Sequence, residues 1–254
     1  NTAVGYAALT NNTTGFANTA IGSLAGDALT TGNNNIAIGS NALGADTLGD
    51  RSVAIGNEAL ASQNFTSSTD NYNVAVGYQA GNAVTTGTTN TFVGGLAGSV
   101  NTTGASNTAV GMQSLASNTT GNYNSVLGKY ALLYNSTGAN NVAVGYSSLF
   151  ANTTASNNTA VGTSALAANT TGATNTAVGA NALDANTTAS SSVAVGHNAA
   201  TANTTGANNV AVGKDSLETN TTGAGNTAIG KDALQNNTTA SNNTAVGMDA
   251  LTAN

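Results

Sequence analysis

The stretch NTAVGANALDANTTASS (residues 175–191) is one copy of a seventeen-residue unit that recurs along the chain. Each copy contains an anchor glycine that follows an apolar residue, here Val178 and Gly179. Successive anchors are seventeen residues apart, except between Gly56 and Gly77, where the interval is twenty-one. Such spacing identifies a repeat protein, whose units stack on their neighbours. The fifteen anchors are Gly5, Gly22, Gly39, Gly56, Gly77, Gly94, Gly111, Gly128, Gly145, Gly162, Gly179, Gly196, Gly213, Gly230 and Gly247.

The unit length and its residue pattern predict a β-solenoid. Helix–turn–helix repeats need more than about 30 residues per unit, whereas 17 residues suffice for one coil of short strands and tight turns. The residue before each anchor is Val or Ile, with Leu127 as the exception, and β-branched residues favour strands. We therefore predict an all-β fold, a parallel β-solenoid of fifteen coils stacked at about 4.8 Å.

Alternation along each strand separates its two faces. We place the large residue before each anchor on the inner face, where these residues form a core ladder, supplemented by an apolar residue four after the anchor, such as Leu183. Gly26 and Gly81 occupy that second place in two coils, and Leu29 and Val84 follow three residues later, as a constant internal volume requires. The predicted core ladder is Val4, Ile21, Ile38, Ile55, Val76, Val93, Val110, Leu127, Val144, Val161, Val178, Val195, Val212, Ile229 and Val246.

The opposite strand face carries small residues, mostly Ala, in almost every copy. A face covered by water would vary among polar types, so we interpret this strip as a packing surface against another chain. The alternative is a narrow β-arc with no room for larger side chains. The candidates for an interface between chains are Ala160, Ala177, Ala194, Ala211 and Ala228.

Polar residues complete the unit. Asn precedes each strand, with Ser52 and Ser192 as replacements, and a stacked Asn row is expected to hydrogen-bond along the axis. The anchor glycine indicates a left-handed φ or a close backbone approach. We treat residues 1–254 as one repeat domain, a piece of a longer fibrous protein, with a four-residue insertion in the coil between 57 and 77.

Two copies of the strand and anchor-glycine motif resemble a known family. RSVAIG (residues 51–56) and NNVAVG (residues 208–213) are similar to the head repeats of trimeric autotransporter adhesins, whose signature is Asn-Ser-Val-Ala-Ile-Gly. Similar arrays occur in phage tail fibres and repetitive surface fibres, and the resemblance covers essentially the whole chain. It implies a left-handed parallel β-roll that assembles as a homotrimer, at the cell surface or in a virion tail fibre.

Composition excludes several classes of function. The chain has four Lys and Arg residues against ten Asp and Glu, a net charge of −6, so it lacks the basic surface that nucleic-acid binding needs. No apolar run approaches the ~18 residues of a membrane span. With no Cys and with His197 as the single histidine, no catalytic or metal-binding constellation stands out. We predict neither an enzyme nor a cofactor.

The candidate binding residues lie in the first part of the chain. All eleven aromatic residues occur at or before Phe150, and Tyr is well suited to contact surfaces. The insertion is the one irregularity in the repeat. Its residues Phe65, Asp70 and Tyr72, with Tyr78 just beyond, are the predicted contacts for a glycan or protein receptor at a cell surface.

These observations predict a structural, adhesive extracellular fibre segment, a head or shaft of a trimeric adhesin that mediates attachment. The alternatives are a phage tail fibre shaft or receptor-binding segment, a self-assembling extracellular matrix filament, and an ice-binding solenoid whose outward Thr rows order water. The expected partner is the chain itself, with neither nucleic-acid binding nor membrane insertion by this segment.

Overall fold

Short parallel strands recur at the interval of the repeat. A computed structural model describes residues 1–253, and within that range it contains seventeen strands and no helix. The chain divides into two compact units, Asn1–Asn124 and Ser125–Asn254, and the same repeat frame runs through both. The strands are β1 (Thr2–Val4), β2 (Thr19–Ile21), β3 (Ile36–Ile38), β4 (Gly49–Asp50), β5 (Val53–Ile55), β6 (Thr69–Asp70), β7 (Val74–Val76), β8 (Thr91–Val93), β9 (Thr108–Val110), β10 (Ser125–Leu127), β11 (Val142–Val144), β12 (Thr159–Val161), β13 (Thr176–Val178), β14 (Val193–Val195), β15 (Val210–Val212), β16 (Thr227–Ile229) and β17 (Thr244–Val246).

Strand pairing follows the repeat in each unit. In the first unit, β1, β2, β3, β5, β7, β8 and β9 pair in that order, and β4 pairs separately with β6. In the second unit, β10 to β17 pair in chain order. All pairs are parallel, and each residue faces its counterpart one coil later, as Ala160 faces Ala177. Each unit is therefore a parallel β-solenoid, which confirms the all-β prediction.

The two strand faces are the reverse of the prediction. The middle residue of each three-residue strand points into the coil: Ala177 is fully buried, whereas Val178 beside it is 37% exposed. The interface candidates Ala160, Ala177, Ala194, Ala211 and Ala228 all have 0% exposure inside their own coils, so they cannot contact another chain. None of the fifteen residues of the predicted core ladder is buried; these are Val4, Ile21, Ile38, Ile55, Val76, Val93, Val110, Leu127, Val144, Val161, Val178, Val195, Val212, Ile229 and Val246.

The narrow coil explains this reversal. The Leu four residues after the anchor, such as Leu183, is fully buried and occupies the space that the middle strand residue faces. In one coil the middle strand residue is Phe92, and there Gly98 replaces the Leu. A Cβ on Gly98 would lie 2.7 Å from Phe92 Cζ and closer still to two other ring carbons. The Phe92 ring therefore requires a glycine opposite, because a close-packed interior has no spare volume.

The displaced apolar groups behave as predicted. Leu29 and Val84 are both buried, and each lies beside the glycine that took the usual Leu position. A Cβ on Gly26 would be 3.0 Å from Leu29 Cδ1, and a Cβ on Gly81 would be 3.4 Å from Val84 Cγ2. The prediction that the apolar group moves to keep the internal volume filled is confirmed.

Two rows of buried Asn side chains run along the coils. In the strand-side ladder, four residues before each anchor, the Asn175 N–H donates to Asn158 Oδ1 (2.9 Å), and Asn175 Nδ2 donates to the Ala189 carbonyl (2.8 Å). In the turn-side ladder, seven residues after the anchor, Asn occupies every position from Asn101 onward, and Asn186 Nδ2 donates to Asn169 Oδ1 (2.8 Å) and to the Ala189 carbonyl (3.1 Å). The predicted row before the strands is confirmed, and repetition satisfies these buried amides.

Tight corners use left-handed backbone. Gly179 has φ of +136°, and a Cβ there would lie 2.6 Å from the carbonyl carbon of Gly196 in the next coil. Both reasons predicted for the anchor glycine therefore hold. Left-handed non-glycine residues also occur two, four and twelve residues after the anchor, as at Asn181, Leu183 and Ser191. Such values are uncommon outside glycine, and here they turn the chain within a seventeen-residue coil.

Candidate functional site

The first candidate surface is the outer strand face, defined as the first and third residues of the three-residue strands. In β14 these are Val193 and Val195, each 36% exposed, on either side of the fully buried Ala194. In β16 they are Thr227 and the 39% exposed Ile229. Because neighbouring strands are in register, Val, Ile and Thr side chains form continuous outward rows within each unit. This surface is suited to packing, since it carries no ionisable group.

The insertion forms the second candidate surface and adds a small sheet to its coil. Strands β4 and β6 pair in parallel, with Gly49 facing Thr69 and Asp50 facing Asp70. Phe65 lies within the inserted segment and is only 5% exposed. The prediction that Phe65 contacts a receptor was wrong, because the loop that carries this apolar ring turns it away from water.

Asp70 and Tyr72 lie on the surface, and the structure brings them together around Arg51. Arg51 Nη1 donates to Asp70 Oδ2 (2.7 Å) and to Tyr72 Oη (2.6 Å). The guanidinium carbon also lies 5.5 Å from the Tyr72 ring centroid. The Arg51 and Asp70 side chains are each about half exposed, so this pair adds little to stability and leaves both charges and a ring accessible to a ligand.

Tyr78 is exposed at the corner after β7. Among residues 1–253, no hydrogen bond or ring contact links its side chain to Asp70 or Tyr72. Sequence reasoning therefore found two members of the surface cluster, Asp70 and Tyr72, and missed Arg51. The available signal was that Arg51 is the only arginine in the chain and directly precedes a strand motif.

Beneath this surface lies a buried polar network centred on Asp46, which occupies a turn-side ladder position. Asp46 Oδ1 accepts from the N–H groups of Gly49 (3.0 Å) and Phe65 (3.4 Å), and Oδ2 accepts from Gln63 Nε2 (2.6 Å). Burial raises the pKa of the Asp46 carboxyl above its ordinary 3.8, against the lowering effect of these hydrogen bonds. The network fixes the insertion to its coil, but Asp46 and Gln63 have 0% exposure and reach no ligand.

Asn71 completes this network from inside the insertion. Its Oδ1 accepts from Ser52 Oγ (2.9 Å) and from the Asn73 N–H (3.0 Å), so it supplies the acceptor that Ser52 lacks in the strand-side ladder. Asn71 Nδ2 is buried without a hydrogen-bond partner among the described residues. A Cβ on Gly49 would lie 2.9 Å from this atom and closer still to Asp46 Oδ2. The unpaired amide therefore faces the pocket that holds the carboxylate.

Residues 1–253 contain no group of three or more His, Cys, Asp or Glu side chains placed to hold a metal ion. In that part of the chain no helix is long and apolar enough to cross a membrane. The candidate site thus consists of the outer strand face and the surface cluster Arg51, Asp70 and Tyr72.

Comparison with known proteins adds no relative: no protein-family model and no curated protein matches this chain.

Proposed function

We propose that this chain is a segment of an extracellular structural fibre that assembles as a homotrimer through its outer strand face and mediates attachment. The observation that carries the proposal is that, in both units, the Val, Ile and Leu side chains before the anchors lie on the outside of their coils. Seven of these fifteen residues are more than a third exposed, including Val178, Val195 and Ile229. Contiguous apolar surface of this kind marks an interaction face in soluble proteins.

Identical chains are the partners that this face fits. A repeat with one apolar row per coil presents the same row on every copy, so cyclic packing buries all copies equally. The resemblance to adhesin head repeats supports three chains and a left-handed roll. The interface differs from the one predicted, because the Ala strip is interior and the Val and Ile row takes its place. A trimer also supplies the apolar burial that a coil with one large inner side chain lacks.

Attachment is assigned to the surfaces that the trimer leaves free. The cluster of Arg51, Asp70 and Tyr72 is exposed and offers both signs of charge beside an aromatic ring. A phage tail fibre segment would use the same packing and differs in what carries it. An end-to-end matrix filament would instead form species of many sizes.

The Thr rows weigh against the ice-binding alternative. Thr187 Oγ1 donates to the Thr204 carbonyl (3.2 Å), and Thr204 Oγ1 donates to the Thr221 carbonyl (3.0 Å). These hydroxyls therefore bond within the protein, and in these coils the following Thr, such as Thr188, is the more exposed of the two. A row whose hydroxyls are already bonded within the protein is a weak template for ordered water.

Light scattering after size-exclusion chromatography tests the proposal. The expected mass is about three times the 24.5 kDa of one chain. The triple variant Val161→Glu, Val178→Glu and Val195→Glu should run as a folded monomer, because three charges enter the outer strand face. Thr171→Glu, an exposed position outside that face, is the matched control and should remain trimeric. A wild-type chain that is monomeric at all concentrations would contradict the proposal.

A further inference from the structure

Four aromatic residues form two ring pairs on adjacent coils of the second unit. The Tyr130 and Tyr146 centroids are 6.0 Å apart at an interplanar angle of 61°, and those of Tyr134 and Phe150 are 5.0 Å apart at 82°. These are the only aromatic residues after position 124. Tyr134 and Tyr146 are each 52% exposed, so the pairs are open to solvent instead of filling a core.

The Tyr134–Phe150 pair has a simple backbone cause, because the Tyr134 N–H donates to the Phe150 carbonyl (3.2 Å). Tyr130 and Tyr146 are also sixteen residues apart in the chain. There the two coils are joined by a bond from the Ser147 N–H to the Lys129 carbonyl (3.1 Å). Between Tyr130 and Tyr134 in the chain, Ala131 and Leu132 turn inward, and the four rings lie on the outer surface of these two coils.

Lys129 lies beside this surface and differs from the other three cationic side chains. Arg51, Lys214 and Lys231 each form an ion pair with an Asp. Lys129 forms no ion pair among residues 1–253, and its Nζ lies 4.6 Å from the Tyr130 ring centroid. In a chain of net charge −6, a cation that lies over a partly exposed ring and has no carboxylate partner attracts an anion.

The next coil carries small side chains beside the rings. At the places that Tyr146 and Phe150 occupy in their coil, it carries Thr163 and Ala167. The coils are joined there, since the Ser164 N–H donates to the Tyr146 carbonyl (3.0 Å) and the Ala151 N–H donates to the Ala167 carbonyl (2.9 Å). The aromatic rings therefore project further from their coils than the neighbouring Thr163 and Ala167, which present a hydroxyl group and methyl groups.

We propose that Lys129, Tyr130 and Tyr146 form a subsite for an acidic saccharide, with Tyr134 and Phe150 following four residues further along the same two coils. The apolar C–H face of a pyranose ring complements an exposed Tyr ring, and the phenol hydroxyl adds a polar contact. The carboxylate of a uronic or sialic acid pairs with Lys129 Nζ in a charge-assisted contact. No carboxylate among residues 1–253 makes that contact with Lys129. This subsite rests on the proposed attachment role and extends it. It uses none of the residues of the outer strand face, so the subsite could be disproved while trimer assembly is confirmed, and the reverse.

Saturation-transfer NMR and titration at low ionic strength test the subsite with α2,3-sialyllactose, trigalacturonic acid and a hyaluronan tetrasaccharide, with lactose as the neutral control. At least one acidic saccharide should bind, and lactose should bind more weakly. Lys129→Gln and Tyr146→Ala should each weaken binding by about tenfold, with an unchanged circular dichroism spectrum. Both side chains are exposed, so the coil should still fold.

The matched controls are Lys231→Gln, a lysine paired with Asp232, and Tyr6→Ala, an exposed tyrosine of the first unit. Both should bind like the wild type. Absence of binding to all three acidic saccharides would overturn the subsite, as would equal losses in the controls or lactose binding as tightly as the best of the acidic saccharides. The mass measurement described above is independent of each of these results.

Discussion

Two serines replace the Asn of the strand-side ladder, and the coils around them respond differently. In the regular second unit, Ser192 keeps its N–H bond to Asn175 Oδ1 (3.0 Å), and its Oγ accepts directly from the Asn209 N–H (3.3 Å). At the insertion, Ser52 keeps the equivalent bond to Asn35 Oδ1 (2.8 Å). There, however, Asn71 Oδ1 takes over as acceptor for the next coil.

The difference teaches what repetition provides. A regular coil tolerates one missing amide with a single longer hydrogen bond. The insertion coil instead holds a custom network with a buried carboxylate, Asp46, and an unpaired amide, Asn71 Nδ2. Such groups are energetically unfavourable, so we expect the insertion to be less stable than the coils it interrupts. The benefit is a surface cluster of Arg51, Asp70 and Tyr72 that no regular coil displays.

The largest expected effect concerns what both regions share, the anchor stack. In Gly56→Ala and Gly179→Ala, the new Cβ would lie 2.6 Å from the carbonyl carbon of the next anchor, at φ of +134° and +136°. Each variant should lose more than about 3 kcal/mol of unfolding free energy, because strain and a backbone clash add. Urea titration followed by circular dichroism measures this loss.

Gly247→Ala is the control for this pair. Its φ is +127°, but the nearest group to its Cβ is Ala250 Cβ at 4.0 Å, so only the backbone strain of about 1–3 kcal/mol remains. If Gly56→Ala were tolerated while Gly179→Ala was disruptive, the insertion would loosen the stack of anchor glycines. The two regions would then differ in the one element that they are expected to share.

The second prediction has opposite signs in the two regions. Ser192→Asn should stabilise the second unit by about 1 kcal/mol, because it restores a full ladder amide. Ser52→Asn should destabilise the first unit by about 1–3 kcal/mol through overpacking, since Gln63 Nε2 (2.7 Å) and Asn71 Oδ1 (2.9 Å) already surround Ser52 Oγ. Thermal unfolding of the two variants measures both changes, and equal signs would refute the repair role of Asn71.

The third prediction concerns pH and the insertion alone. The pKa of the Asp46 carboxyl is raised in the folded state by burial, so the folded chain binds a proton more readily than the unfolded chain. The stability of the insertion coil should therefore fall as pH rises through the window between 3.8 and the raised pKa. Hydrogen exchange of the Gly49 and Phe65 amides, which bond to Asp46, reports this change.

Asp46→Asn is the reference for that measurement, because Asp50 and Asp70 are unchanged in it. The difference in exchange between wild type and variant should shrink at low pH. Asn186→Asp should create the same pH dependence within the regular turn-side ladder, where the wild type has none at that position. An identical pH profile for wild type and Asp46→Asn would contradict the assignment.

The smallest effect concerns left-handed corners in regular coils. Thr174 is β-branched, exposed and held at φ of +60°, twelve residues after its anchor, where another coil has Gly225 at +66°. Thr174→Gly should stabilise the chain by about 0.5–1 kcal/mol through relief of backbone strain. Thr171→Gly, at an exposed position without a positive φ, should destabilise it by a similar amount. Matched thermal melts distinguish the two.

The sequence predicts the solenoid well because period, strand alternation and glycine placement are local signals. The strand faces were assigned wrongly because size suggested that Val178 fills the core, whereas Leu183 already occupies that volume. Phe92 with Gly98 was the available clue, since the two exceptions occur in one coil. Of the surface cluster, Asp70 and Tyr72 were predicted, but the inward turns of Phe65 and Asn71 depend on tertiary packing that periodicity does not encode.

The most direct test of the account is the thermal melt of Ala177→Glu against that of Val178→Glu, followed by far-UV circular dichroism. The structure places Ala177 inside the coil at 0% exposure and Val178 outside at 37%. Ala177→Glu should therefore lose several kcal/mol, as expected for a buried unpaired charge, while Val178→Glu keeps its β signal and the fold of its coil. A stable Ala177→Glu with an unfolded Val178→Glu would contradict the inward and outward faces on which the proposed assembly rests.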